Sequence, residues 1–209
     1  MKKNNEKSSS AISAVWLDLG QVVFRVSILG ALEVLGIDPE SKEGQFFRTL
    51  TNWEPHDRYE KGKIDTAQFC EEIQKGIGVR ITREDFPGVW NKAIFGLVDG
   101  VEEVIASLKV PVYALTNSNP VHIQTECARY PVMNRFERVF TSYEMGLRKP
   151  DPEIYRQVAS ATSTALDEVL FLDDREENLT SARELGIHAE YCKVSAEKMR
   201  EIFCRSNLI

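Results

Sequence analysis

The sequence predicts an α/β fold, a doubly wound parallel sheet with a mainly helical insertion. Two observations set that class. Short apolar runs that each stop at a polar residue alternate with segments carrying helix-start signals, the pattern of repeated βαβ units. One interval breaks the rhythm: roughly a hundred residues separate Asp18 from Thr116, whereas a plain βαβ unit needs only ~30.

Along the chain, residues 1–12 form a polar leader, and Ala14 to Leu17, ending at Asp18, gives the first buried strand. The insertion is placed at residues 26–96, leaving a core of residues 13–25 and 97–209. Within the insertion, Ile28 to Leu35 has helical features and ends at Gly36. Asp65 with Gln68 caps a helix through Ile73 that Gly76 closes, and Thr82 with Asp85 starts another despite Pro87. In the core, Asp99 with Glu102 makes a capping box ahead of Val104, Ile105 and Leu108. Val112 to Leu115 is the next strand, before Thr116. Asn119-Pro120 and Asp151-Pro152 each pair a capping residue with proline at the first helical position. Val169 to Leu172 forms a strand before Asp173, a helix runs from Glu176 to Leu185 ahead of Gly186, and His188 to Tyr191 is the last strand. Ser195 caps a final helix carrying Met199, Ile202 and Phe203.

Composition narrows the function. Of 209 residues, 43% are hydrophobic and 28% charged, as in an ordinary globular chain. The 26 basic and 32 acidic residues leave a net charge of −6, which argues against a binder that tracks the nucleic-acid backbone. No apolar run approaches the ~18 residues of a membrane span, and no apolar segment follows the polar N-terminus as in a secretory signal. A cytoplasmic protein is expected. Cys70, Cys127, Cys192 and Cys204 lack metal-site or disulfide spacing and read as idle thiols. Three scattered histidines, His56, His122 and His188, offer no nucleophile–base pair.

In open α/β sheets ligands bind outside the carboxyl ends of the strands, where Asp18, Thr116 and Asp173–Asp174 all fall. A carboxylate at Asp18 can attack a phosphoryl group and form an aspartyl phosphate, though a strand-end Asp also serves simply to hold a loop. Gly20 lets the backbone turn sharply and expose its carbonyl. Asp173 and Asp174 repel each other, a repulsion that a hard cation such as Mg²⁺ relieves; the other reading is a solvated acidic turn. Thr116-Asn117-Ser118-Asn119 offers hydroxyl, amide and backbone donors before a helix N-terminus, a cradle for an anion or an ordinary polar turn. Lys149 stands before another helix, placed to neutralise a phosphoryl oxygen or merely to add surface charge.

Together, Val15-Trp16-Leu17-Asp18-Leu19-Gly20, Leu115-Thr116-Asn117, Arg148-Lys149-Pro150 and Phe171-Leu172-Asp173-Asp174 occur in the order of the four motifs of the haloacid dehalogenase-like superfamily, which the chain resembles. The segments DLGQVVF, LTNSNP, GLRKPDPEIY and FLDDREEN are similar to the bacterial branch containing α-D-glucose-1-phosphatase, as is Tyr59 to Ile64. The resemblance implies a Rossmann-like core with a helical cap and a Mg²⁺-dependent phosphatase acting on a small phosphorylated metabolite, such as a sugar phosphate. It makes Asp18 the nucleophile, Thr116 and Asn117 the phosphoryl ligands, and Lys149 the charge-steadying group. Asp174, Asp18 and the Gly20 carbonyl would hold the metal, Asp173 would contribute directly or through water, and Asn178 would support the site. Cap residues Trp53, His56, Arg58 and Tyr59 are candidates for specificity. One departure matters: many members carry a general acid–base Asp where this chain has Gly20, a group worth ~10² to 10⁴ in rate. A 2-haloacid dehalogenase, or a catalytically weak binding or regulatory protein, are the alternatives.

Overall fold

A computed structural model of the chain describes residues 11–78 and 81–209. The expected leader therefore lies outside the described residues up to residue 10; Ile12 packs against the core. β1 (Ala14–Leu17) runs into Asp18, and a tight turn follows in which Leu19 O accepts from the N–H groups of Val22, Val23 and Phe24. The turn feeds β2 (Phe24–Val26). Helices α1 (Leu29–Leu35), α2 (Lys42–Arg48), α3 (Glu54–Glu60), α4 (Thr66–Ile77) and α5 (Phe86–Trp90) come next. β3 (Ile94–Leu97) returns antiparallel to β2. The chain then alternates through α6 (Val101–Ala106), β4 (Val112–Thr116), α7 (Pro120–Arg129), β5 (Arg138–Thr141), α8 (Ser142–Met145) and α9 (Pro152–Thr162). It ends with β6 (Val169–Asp173), α10 (Glu176–Glu184), β7 (His188–Tyr191) and α11 (Ala196–Arg205).

The main sheet has the order β5-β4-β1-β6-β7, with every pair parallel. Because helices cover both faces, β1 and β6 are buried throughout, which is why they read as unbroken apolar runs. On one face Val15, Leu17, Ala114 and Leu172 pack with Val104 of α6 and Ile202 of α11. On the other, Trp16, Leu115 and Phe171 meet Tyr155 of α9 and Leu179 of α10. Leu17 lies level with Ala114 and Leu172. The register therefore delivers Asp18, Thr116 and Asp173 to one rim.

Helices α1 to α5 enclose an aromatic core of their own. Tyr59 stacks on Phe69 at 4.3 Å, Phe69 meets Trp90 edge-on at 5.3 Å, and Val121 of α7 closes one side. The unit is clasped to the sheet at its far end. After α3, Gly62 adopts φ 64°, and a Cβ there would lie 2.3 Å from the Tyr143 carbonyl oxygen, so only glycine permits this approach to α8. Beside it Arg148 reaches Asp57 at 3.1 Å and Glu60 at 2.8 Å.

Several local expectations hold. Gly36 closes α1, Asp65 and Gln68 form the capping box of α4, and Asn119, Asp151 and Ser195 cap their helices through their side chains. Others differ. Gly100, at φ 79°, is the N-cap of α6, which leaves Asp99 one residue too early to cap; its carboxylate pairs with Arg25 at 3.4 Å instead. α4 runs through Gly76, which packs against Phe46, and stops at Gly78. Thr82 Oγ1 accepts from Asp85 N–H at 3.0 Å to make a turn, and α5 starts only at Phe86, with Pro87 harmless in its first turn.

Candidate active site

Lys149 is the electrostatic centre of the rim. Its ammonium is enclosed completely, 2.6 Å from Asp173 Oδ2, 3.1 Å from Asp18 Oδ1 and 2.7 Å from the Leu115 carbonyl. Burial pulls the ammonium pKa down, but Asp173 and then Asp18 outweigh it and hold it above the ordinary lysine range. Burial pushes the Asp18 carboxyl up to about 7; Lys149 opposes this and Asp173 adds to it. Asp174 is also raised, by burial first and then by Asp173, while Lys193 at 3.5 Å works against both.

The backbone fixes these groups. Asp18 N–H bonds Leu172 O at 2.9 Å, and Leu19 N–H donates to Asp18 Oδ1 at 2.8 Å. Asp173 accepts from Arg175 N–H at 2.8 Å and from the Asn178 amide through both carboxylate oxygens. Tyr155 Oη donates to the Asn178 carbonyl at 2.9 Å, locking that residue in turn. Asn117 clamps the Lys149 backbone reciprocally, donating to its carbonyl at 2.8 Å and accepting from its N–H at 2.9 Å. Asn117 thus positions the lysine as well as lining the rim. Thr116 is buried beside it, and Ser118 N–H donates to Ser142 Oγ at 3.1 Å.

Asp18, Asp173 and Asp174 offer oxygen atoms all within 4.8 Å of one another, the hard, acidic donor set that Mg²⁺ takes. Their engagement differs. Both Asp173 oxygens already accept from protein donors, whereas Asp18 Oδ2 accepts none among the described residues. Asp18 and Asp174 are therefore the freer ligands.

Above Gly20 and Thr116 lies a cavity of about 320 Å³, roofed by Val26, Ile28, Phe47, Leu50 and Trp90. Of the four residues proposed for specificity from sequence, His56 alone lines it. Trp53 packs on Phe46, Arg58 pairs with Glu54, and Tyr59 is stacked in the helical core. His122 and Glu126 line the cavity unannounced. Their spacing, i and i+4 on the helix that follows the phosphate-cradle segment, was the available signal.

Residues 44–186, more than half of the chain, match the family model described as haloacid dehalogenase-like hydrolase. The chain belongs to that family. Relatives of this haloacid dehalogenase-like hydrolase include sesquiterpene phosphatase astK of Aspergillus oryzae, 28% identical over 66% of this chain and 72% of the other. D-ribitol-5-phosphate phosphatase of Bacteroides thetaiotaomicron is 26% identical over 68% and 73%. Drimenol cyclase drtB of Aspergillus calidoustus is 31% identical over 44% of this chain, which spans only 17% of that protein. Among solved structures, the B. thetaiotaomicron family enzyme bt-2542 in complex with magnesium and inorganic phosphate superimposes with a TM-score of 0.75 at 26% identity, covering 88% of this chain and 96% of the other. No described helix of the hydrolase is long and apolar enough to cross a membrane.

Glu126 is expected to give the stability of this hydrolase a pH dependence. The residue is buried, its Oε2 has no partner, and burial, aided by Asp18, raises its pKa from 4.5 to about 8. The native state therefore keeps a proton that the unfolded chain loses. The associated stability is complete below pH 4.5 and lost as pH rises toward 8. Glu126→Gln is expected to flatten the decline between pH 5 and 8 by on the order of 3 kcal/mol, measured by urea unfolding. An unchanged slope would refute the buried neutral acid.

Proposed function

We propose that the protein is a Mg²⁺-dependent phosphatase acting on a small phosphorylated metabolite through an aspartyl-phosphate intermediate. The observation that carries this reading is the placement of Asp18 against buried Lys149, within a three-carboxylate cluster at the rim. The Asp18 carboxylate attacks phosphorus, the ester P–O bond breaks, and the leaving oxygen takes a proton. Water then cleaves the acyl phosphate, restoring the carboxylate and releasing inorganic phosphate. Lys149 favours the ionised form of Asp18 against its burial, and Thr116 and Asn117 sit where phosphoryl oxygens would be received. Mg²⁺, held by Asp18, Asp174 and the Gly20 carbonyl with Asp173 behind them, would neutralise phosphoryl charge. The family relationship, the two phosphatase-named relatives and the magnesium–phosphate complex of a structural neighbour all support the reading.

Phosphate release from p-nitrophenyl phosphate tests it. Activity should require Mg²⁺ and vanish in excess EDTA, and Asp174→Asn should raise the Mg²⁺ concentration needed by tenfold or more, at least the scale of losing a residue that only supports a ligand. Full activity in EDTA would defeat the proposal. Gly20 favours one rival, a protein that binds phosphate esters without turning them over. Tight phosphate binding with no release from any monoester would select it.

A further inference from the structure

We propose that the substrate is the phosphate monoester of an apolar alcohol, its hydrocarbon body held in the cavity above Gly20 and Thr116. This rests on the phosphatase reading for the phosphoryl end and on the cavity for the rest. The cavity is continuous with that end: Leu19, Gly20, Thr116, Asn117 and Ser118 form its floor. Val26, Ile28, Phe47, Leu50 and Trp90 form the part that the leaving group would fill.

The charged and titratable side chains lining the cavity are paired or shifted toward their neutral forms. Arg48 is held by Glu40 at 2.6 Å, and Glu60 by Arg148 at 2.8 Å. The His122 ring is fixed as neutral by its contacts alone. Asn119 Oδ1 accepts the His122 backbone N–H at 3.1 Å, which orients the amide so that its Nδ2 donates to His122 Nδ1 at 3.2 Å. The other ring nitrogen then donates to the Trp90 carbonyl at 3.2 Å. One ring nitrogen accepting and one donating is the neutral tautomer, in line with a pKa lowered by burial to about 4. Burial likewise lowers His56, against the pull of Glu60, and pushes Glu126 up to about 8.

The lining therefore presents no unpaired charge. Its buried polar atoms without a hydrogen-bond partner, His56 Nδ1, Glu60 Oε2, Trp90 Nε1 and Glu126 Oε2, are sealed away and show no surface to an occupant, and Glu60 Oε2 lies within the Arg148 ion pair. The polar side chains Ser27, Arg48 and Thr51 that also line the cavity are too few to replace water at every hydroxyl of a polyol chain, and each hydroxyl left without a partner is costly. A hydrocarbon chain loses nothing and gains burial, and the volume lies within the range of ligand sites.

Calorimetric titration of n-alkylphosphonates, from methyl to octyl, in the presence of Mg²⁺ reads the cavity without needing turnover. Affinity should rise about fourfold for each added methylene, with a heat-capacity change that grows more negative along the series. Ile28→Ser should cut the octyl-to-methyl affinity ratio by about tenfold; Ser is well tolerated at a helix N-cap, which Ile28 occupies in α1. A flat series, or tighter binding of a phosphonate carrying a polyol chain, overturns the proposal. Hydrolysis of acetyl phosphate, which has almost no body, is followed in parallel. No hydrolysis alongside a steep alkyl series defeats the phosphatase reading and supports the apolar one; hydrolysis with a flat series does the reverse.

Discussion

Asp18→Asn is expected to lower phosphate release by ~10⁴-fold or more, the scale seen when a nucleophile is removed from a set of groups that act as a unit. The amide cannot form the acyl phosphate, and the neighbour that shares Lys149 with it is already engaged. Asp173, the carboxylate on the far side of Lys149, is tied by Arg175 N–H, Asn178 and Lys149. The fold should survive. Asn retains an oxygen to accept from Leu19 N–H, as Asp18 does at 2.8 Å, and removes a charge whose burial is unfavourable. Initial rates with p-nitrophenyl phosphate, paired with a thermal melt, check both halves. Residual activity above a tenth of wild type in a folded variant would remove Asp18 from the reaction.

Lys149→Met is the substitution expected to damage the fold most. The methionine fills similar volume, yet it leaves Asp18 and Asp173 buried without the cation 3.1 Å and 2.6 Å away. Breaking a buried pair in this one-sided way costs about 3–5 kcal/mol, a fall in Tm of about 10 °C for a chain of this size. The penalty has a signature. Without Lys149 the native carboxylates hold protons more tightly than the unfolded chain does, so their contribution is favourable at low pH and lost as pH rises. The gap in Tm between variant and wild type should therefore be smaller at pH 5.5 than at pH 8. An equal gap at both would mean that packing, not charge, is what the lysine supplies.

The strands that carry Asp18, Thr116 and Asp173 were legible because each is buried on both faces and so leaves an unbroken apolar run. β5 was not. It is an edge strand that begins at exposed Arg138, and its partner is chosen by register against β4, a tertiary fact. The β2–β3 ladder was equally hidden, since short strands flanking five helices pair only after those helices have packed. At the site, the motif residues were visible from their order, but the reciprocal clamp between Asn117 and Lys149 joins segments 32 residues apart and has no local trace. Glu126 shows the opposite difficulty. A glutamate on a helix looks solvent-exposed in one dimension, and only the burial of α7 beneath the helical unit makes it a neutral acid.

Arg148 and Lys149 are neighbours that face different bodies. Lys149 is sunk among the rim carboxylates, while Arg148 grips α3 through Asp57 and Glu60. A single peptide unit thus links the charge balance of the rim to the grip on the overlying helices. An outward swing of those helices would part the arginine from its acids, one residue from the backbone that Asn117 clamps. The grip on the helices and the seat of the ammonium are, in this chain, held by adjacent residues.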